Sequence, residues 1–110
     1  LFGRLLDGRN HYGYSENKMI KSFAHKGLEA FFLTGNIKGI QAKHATRLAG
    51  LLDRLDAAAG VQDMDFPGSG FHALRGDLKD HWSLKVSGNW RMTFRFEDGH
   101  AYVVNYQDYH

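Results

Sequence analysis

Two histidines, two arginines, an aspartate and a tyrosine form the chemically capable set of this 110-residue sequence. Three of them close the chain. Asn105-Tyr106-Gln107-Asp108-Tyr109-His110, fed by the apolar run Ala101-Tyr102-Val103-Val104, ends on a carboxyl, a phenol and an imidazole, all groups that can move protons. In an extended chain Asp108 and His110 share a face roughly 6.6 Å apart, at about 3.3 Å per residue, and Tyr109 takes the other. The α-carboxylate on His110 is a neighbouring negative charge that favours its imidazolium form. Terminal residues ordinarily fray and are dispensable, so an acid, a phenol and an imidazole in this place read as a working part. His72 and Arg75 bracket Ala73-Leu74, and Arg91 follows Trp90. With no cysteine and no close carboxylate pair, this set suits cleavage of a phosphodiester by the RNA's own 2′-hydroxyl. That reaction needs a base for the 2′-OH, an acid for the leaving 5′-oxygen and cations for the charged phosphorane. It calls for no metal ion and no cofactor, and none is expected.

Residue by residue the pattern is weak. His72 alone reads as a hydrogen-bonded edge residue, and Arg75 and Arg91 as solvated strand residues. Lys43, Arg47 and Arg54, at i, i+4 and i+11 of a helical segment, make a basic stripe opposite a row of leucines. A solvated face explains that stripe, and docking onto RNA or the ribosome is its sharper reading. Trp82 and Trp90 have the rings to stack on bases, but a domain this small needs them for its core. His44, His81 and His100 have no metal-ligand spacing, and no HExxH or glycine-rich phosphate loop is present.

The elements that must hold these residues follow from periodicity. Residues 19–23 alternate apolar and polar and read as a first strand. A short helix is expected over 25–33, with Leu28, Phe31 and Phe32 inward and Thr34-Gly35-Asn36 as its stop. A longer helix over 41–59 carries the stripe Leu48, Leu51, Leu52, Leu55 and ends at Gly60. Residues 62–70 hold the only proline and form a loop. Strands are expected at 71–74, 81–86, 90–96 and 101–109, with hairpin turns at Ser87-Gly88-Asn89 and Glu97-Asp98-Gly99. The sum is one compact α+β domain, an N-terminal strand and two helices packed on a mainly antiparallel sheet. Residues 1–18 show no period and begin on Leu1, so they are expected to be a poorly ordered leader or extension before a domain spanning 19–110.

Composition narrows the classes. A hydrophobic content of 43% argues against disorder, and no apolar run is long enough to span a membrane. No signal segment is apparent, so a cytoplasmic protein is expected. Although the pI is near 9.0, 14 Lys+Arg against 12 Asp+Glu leave a net charge of only +2, too little by itself to mark a nucleic-acid binder.

Met19-Ile20-Lys21-Ser22-Phe23, Phe71-His72-Ala73-Leu74-Arg75-Gly76-Asp77, Trp82-Ser83, Asn89-Trp90-Arg91-Met92-Thr93-Phe94 and Tyr106-Gln107-Asp108-Tyr109-His110 resemble, in order, the HigB toxins of the RelE superfamily. The resemblance covers 19–110. It implies a microbial-RNase-like fold and a ribosome-dependent endoribonuclease that cuts mRNA in the ribosomal A site. It further implies a HigA-type helix-turn-helix antitoxin, which neutralises the toxin and through which alone the toxin reaches operator DNA; no membrane partner is implied. Carried over by motif, His72 matches the family's catalytic-region histidine, and Arg75 stands where lysine is common. Arg91 matches the arginine after Asn-Trp, and Asp108, Tyr109 and His110 match the functional tail. Arginine at 75 keeps the charge but replaces a point charge by a planar fork. A non-catalytic RNA- or ribosome-binding module of the same fold is the rival reading.

Overall fold

The computed structural model describes residues 19–76 and 80–109. The expected leader therefore lies outside the described residues. Four strands form an antiparallel meander in the order β1 (His72–Ala73), β2 (His81–Ser87), β3 (Trp90–Glu97) and β4 (His100–Asp108). The β3–β4 turn is two residues, Asp98 and Gly99, with φ of 53° and 79°. Both lie in the left-handed region demanded by the tight hairpin turn whose twist matches the strands.

Helix α1 (Lys26–Thr34) is capped at its start by His25, whose Nδ1 accepts the Leu28 N–H at 2.9 Å, and closed by Gly35. Helix α2 (Ala45–Ala57) is shorter than the helix expected over 41–59. Its first turn is tightened into a 3-10 turn at Ala42–His44 because Gln41 and His44 both engage the Tyr106 hydroxyl. Its end comes early because Asp63 accepts the Ala59 N–H at 2.9 Å, turning the chain into a second 3-10 turn, Val61–Met64. The leucine stripe is buried as read: Leu48, Leu51, Leu52 and Leu55 pack with Phe32, Leu84, Met92, Phe94 and Val104 in one core. Trp82 and Trp90 lie half-buried against that core, which agrees with their structural reading.

The expected first strand at 19–23 is replaced by two isolated parallel bridges to β4, Ile20 to Ala101 and Phe23 to Val104. The ladder breaks because β4 carries a bulge opposite β3 between them, with Val103 at φ 48°. Ser22 fills the gap: its Oγ accepts the Val103 N–H at 2.9 Å and its carbonyl accepts the Val104 N–H at 3.1 Å. Upstream, Asp56 of α2 accepts the Met19 and Ile20 N–H groups at 3.1 and 3.2 Å. No helix of the described residues is long and apolar enough to cross a membrane.

Candidate active site

Alternation along each strand sends one set of side chains to the core and the other to the open face. Registers then decide which open-face residues meet. His72 stands opposite Ser83, Ser83 opposite Thr93, and Thr93 opposite Asn105. The next row is Lys85, Arg91 and Gln107. Residues 33 positions apart in sequence, His72 and Asn105, thus share one row.

The join between the rows is the Gly68-Ser69-Gly70 loop. Ser69 is buried, its Oγ accepts the Phe66 and Phe71 N–H groups, each at 3.3 Å, and its carbonyl accepts the Lys85 N–H at 2.8 Å. Arg47 holds the same loop from α2, donating to the Gly68 carbonyl at 2.8 Å and to the Lys85 carbonyl at 2.8 and 3.1 Å. Gly70 has φ +63°, and a Cβ there would stand 2.8 Å from Lys85 Cβ and 3.4 Å from Arg91 Nη1. Only glycine fits that approach.

His72 and Arg91 meet at Gly70. His72 Nδ1 lies 3.1 Å from the Gly70 carbonyl oxygen. A carbonyl only accepts, so Nδ1 carries the hydrogen and the neutral ring keeps its lone pair on Nε2. The exposed imidazole is thereby tied to Gly70, and the Arg91 guanidinium lies 3.4 Å from where a Cβ on that glycine would stand. Lys85 adds a second cation directly opposite Arg91, and neither has a carboxylate partner among the described residues. Like charges facing each other across strands destabilise a sheet. Two cations facing each other in this way can hold an anion between them.

Farther along the same face, Leu74, His81, Thr93, Asn105, Gln107 and Tyr109 help line a pocket of about 180 Å³. Tyr109 donates its N–H to the Asn89 carbonyl at 2.8 Å, which brings the end of β4 against the β2–β3 turn. Asp108 pairs with Trp90 and alternates with Gln107, so it belongs to the opposite face of the strand. His110 lies outside the described residues. Arg75 is exposed just beyond the end of β1.

The basic stripe resolves into three different situations. Lys43 is exposed on the 3-10 turn. Arg47 spends its guanidinium on backbone carbonyls of the site loop, and Arg54 sits 4.0 Å over the Phe66 ring. Sequence reading missed Lys85, Gly70, Asn105 and Gln107. The alternation of β2 and β4 could have flagged Lys85, Asn105 and Gln107, but alternation does not say which neighbour each will meet, and it does not reach Gly70 in its loop. Among the described residues no group of three or more His, Asp or Glu could hold a metal ion.

On the core side, His44 Nδ1 and the Tyr106 hydroxyl are 2.6 Å apart, and the Gln41 N–H donates to the same hydroxyl at 3.4 Å. Burial, with the Lys43 charge beside it, pushes the His44 pKa below its ordinary 6.5. Burial raises that of Tyr106 above 10.0, against the opposing effect of the Gln41 hydrogen bond.

Comparison with known proteins gives the family. The sequence model of the "RelE-like toxin of type II toxin-antitoxin system HigB" family matches residues 21–110. The chain belongs to the HigB family of RelE-like toxins. A curated relative, "Endoribonuclease HigB" of Proteus vulgaris, is 41% identical over 92 residues, covering 84% of this chain and all of the relative. The family resemblance read from the motifs is thus correct, as is the α+β architecture. Membership in a type II system gives this HigB-family toxin an antitoxin partner.

Proposed function

We propose that this HigB-family toxin is a ribosome-dependent endoribonuclease that cuts mRNA in the ribosomal A site and so arrests translation and growth. The observation that carries the reading is the junction at Gly70, where a tautomer-fixed imidazole and two cations come together, neither cation having a carboxylate partner among the described residues. The relative's printed activity supports the same reaction.

In the reaction the RNA's 2′-oxygen attacks its own phosphorus as a base takes the 2′-proton. The P–O5′ bond breaks and an acid protonates the leaving oxygen, giving a cyclic phosphate and a 5′-hydroxyl. His72, through Nε2, and His110 are the acid–base pair. Arg91 and Arg75 hold the phosphate and its developing charge, with Lys85 added to them by the sheet register. Asp108 orients or tunes His110, and Tyr109 contacts a base or the phosphate. Lys43 is available to RNA or the ribosome. Arg47 and Arg54 reach such a partner only if their present contacts are shared or released. The antitoxin is a HigA-type helix-turn-helix protein that reaches operator DNA on the toxin's behalf, and ribosomes and mRNA place the activity in the cytoplasm.

Purified protein incubated with translating ribosomes tests the reading, with 5′ ends of the message mapped. Cuts confined to ribosome-bound mRNA are expected. Intact mRNA with the protein bound to ribosomes would instead mean a non-catalytic binding module.

A further inference from the structure

Strand β1 is only two residues long, so beyond it the edge of β2 needs other partners for its backbone. Lys85 finds them in two places. Its N–H donates to the Ser69 carbonyl at 2.8 Å, and its carbonyl accepts from one side chain, Arg47. That guanidinium donates to it from Nε at 3.1 Å and from Nη2 at 2.8 Å. Nη2 donates again, to the Gly68 carbonyl at 2.8 Å. One planar fork therefore clamps the loop at 68–70 to strand β2.

The clamp stands on a firm base and ends at the reacting groups. Arg47 lies in the first turn of α2, next to the fully buried Leu48, so the fork is rooted in the core helix. The Ser69 Oγ stiffens the loop by accepting the Phe66 and Phe71 N–H groups. Gly70 then lies so close to Lys85 that no Cβ fits, and its carbonyl takes His72 Nδ1 at 3.1 Å. A guanidinium serves two carbonyls at once because its donors are fixed in one plane. An ammonium is a point charge on a flexible stem.

We infer that Arg47 is a positioning residue of the nuclease, holding the His72 imidazole in place through the loop at 68–70, as a fork on backbone carbonyls and not as a charge for RNA. The inference rests on the endoribonuclease reading and deepens it. A misplacement of about 1 Å can cost a hundredfold in rate, so a residue that touches no substrate can govern the chemical step.

Arg47→Lys keeps the charge and most of the stem but loses the fork, whereas Arg47→Met loses both charge and fork. Each is compared with wild type on ribosomes carrying mRNA, under single-turnover conditions at saturating toxin. Ribosome affinity is measured at several salt concentrations, and melts correct for the folded fraction. Nitrogen NMR of labelled histidine reports which ring nitrogen of His72 carries the hydrogen. Both variants should cleave roughly ten- to a hundredfold more slowly at saturation, with ribosome affinity and its salt dependence at wild-type values. The His72 Nδ1–H signal should give way to mixed tautomers. Wild-type cleavage by Arg47→Lys, with weaker and less salt-dependent ribosome binding by Arg47→Met, would make Arg47 a phosphate contact and overturn the inference. Slow cleavage with the His72 signal unchanged would overturn it too, as would a loss that vanishes on correction for the folded fraction. A wild type that cuts nothing would overturn the nuclease reading, and the positioning role with it.

Discussion

The two faces of β4 handle polar groups in opposite ways. On the core side Tyr106 shares its hydroxyl with Gln41 and His44, and its ring meets His25 at 5.3 Å and Trp90 at 4.7 Å. On the open side, one residue earlier or later, Asn105 and Gln107 border a cavity, and Arg91 faces Lys85 across the neighbouring ladder. Around Tyr106 the buried polar groups are given partners, because a buried unpaired one costs about 1–3 kcal/mol. Where like charges and amides are left facing solvent, the sheet has accepted a local conflict. Conflicts of that kind mark functional ground.

The sharpest way to break this contrast is His72→Ala. It should lower ribosome-bound mRNA cleavage by about 10²–10⁴, the range for losing general acid–base help. Stability should move by no more than about 0.5 kcal/mol, as at other exposed positions. A large fall in melting temperature with cleavage intact in the folded fraction would put His72 on the structural side.

Next come the two opposed cations. Arg91→Met should slow cleavage roughly ten- to a hundredfold, from loss of a charge-assisted contact of about 1.5–3 kcal/mol. Lys85→Met should slow it as well. Each should leave stability unchanged or raise it by roughly 0.2–1 kcal/mol, since a facing like charge is gone. Chemical denaturation beside single-turnover cleavage reads both. Loss of stability in either variant would mean that the pair is supported in a way the contrast does not allow.

Tyr106→Phe inverts the expectation. The ring contacts remain, but the Gln41 N–H and His44 Nδ1 lose their shared partner, costing about 1–3 kcal/mol of stability. Activity per folded molecule should hold to within a few-fold. A specific loss of cleavage would extend the site through the sheet.

The smallest effect is on pH. His44 is held neutral, so its contribution to stability is complete above its ordinary 6.5 and is lost as pH falls below that value toward the depressed folded pKa. The raised Tyr106 pKa works from the other side: its contribution is complete below 10.0 and is lost as pH rises through the folded value. Melts from pH 5 to pH 11 should show a plateau between these limits. His44→Gln should flatten only the acid side, as judged by subtracting its curve from that of wild type.

Local rules made much of this molecule legible without coordinates. The four leucines of α2, the Gly35 stop and the Asp98-Gly99 turn depend on neighbours a few residues away, and periodicity or turn chemistry reports such neighbours directly. The resemblance to HigB toxins was legible too, because its motifs are contiguous. What failed was decided at a distance. The first strand became two bridges because Ser22 meets a bulge 81 residues on, and the long helix was trimmed by Tyr106 and Asp63. Arg47 and Arg54 looked like a basic stripe until the loop at 66–70 folded onto them. The site depends on distance most of all. His72, Lys85 and Arg91 were each present in the sequence, but which of them meet follows from strand register and from a glycine at φ +63° that has no side chain to signal its place. Residue types and hydrogen-bonding capacity travel with the chain. Proximity is a property of the closed sheet, since a one-residue slip in register would send every one of these side chains to the other face.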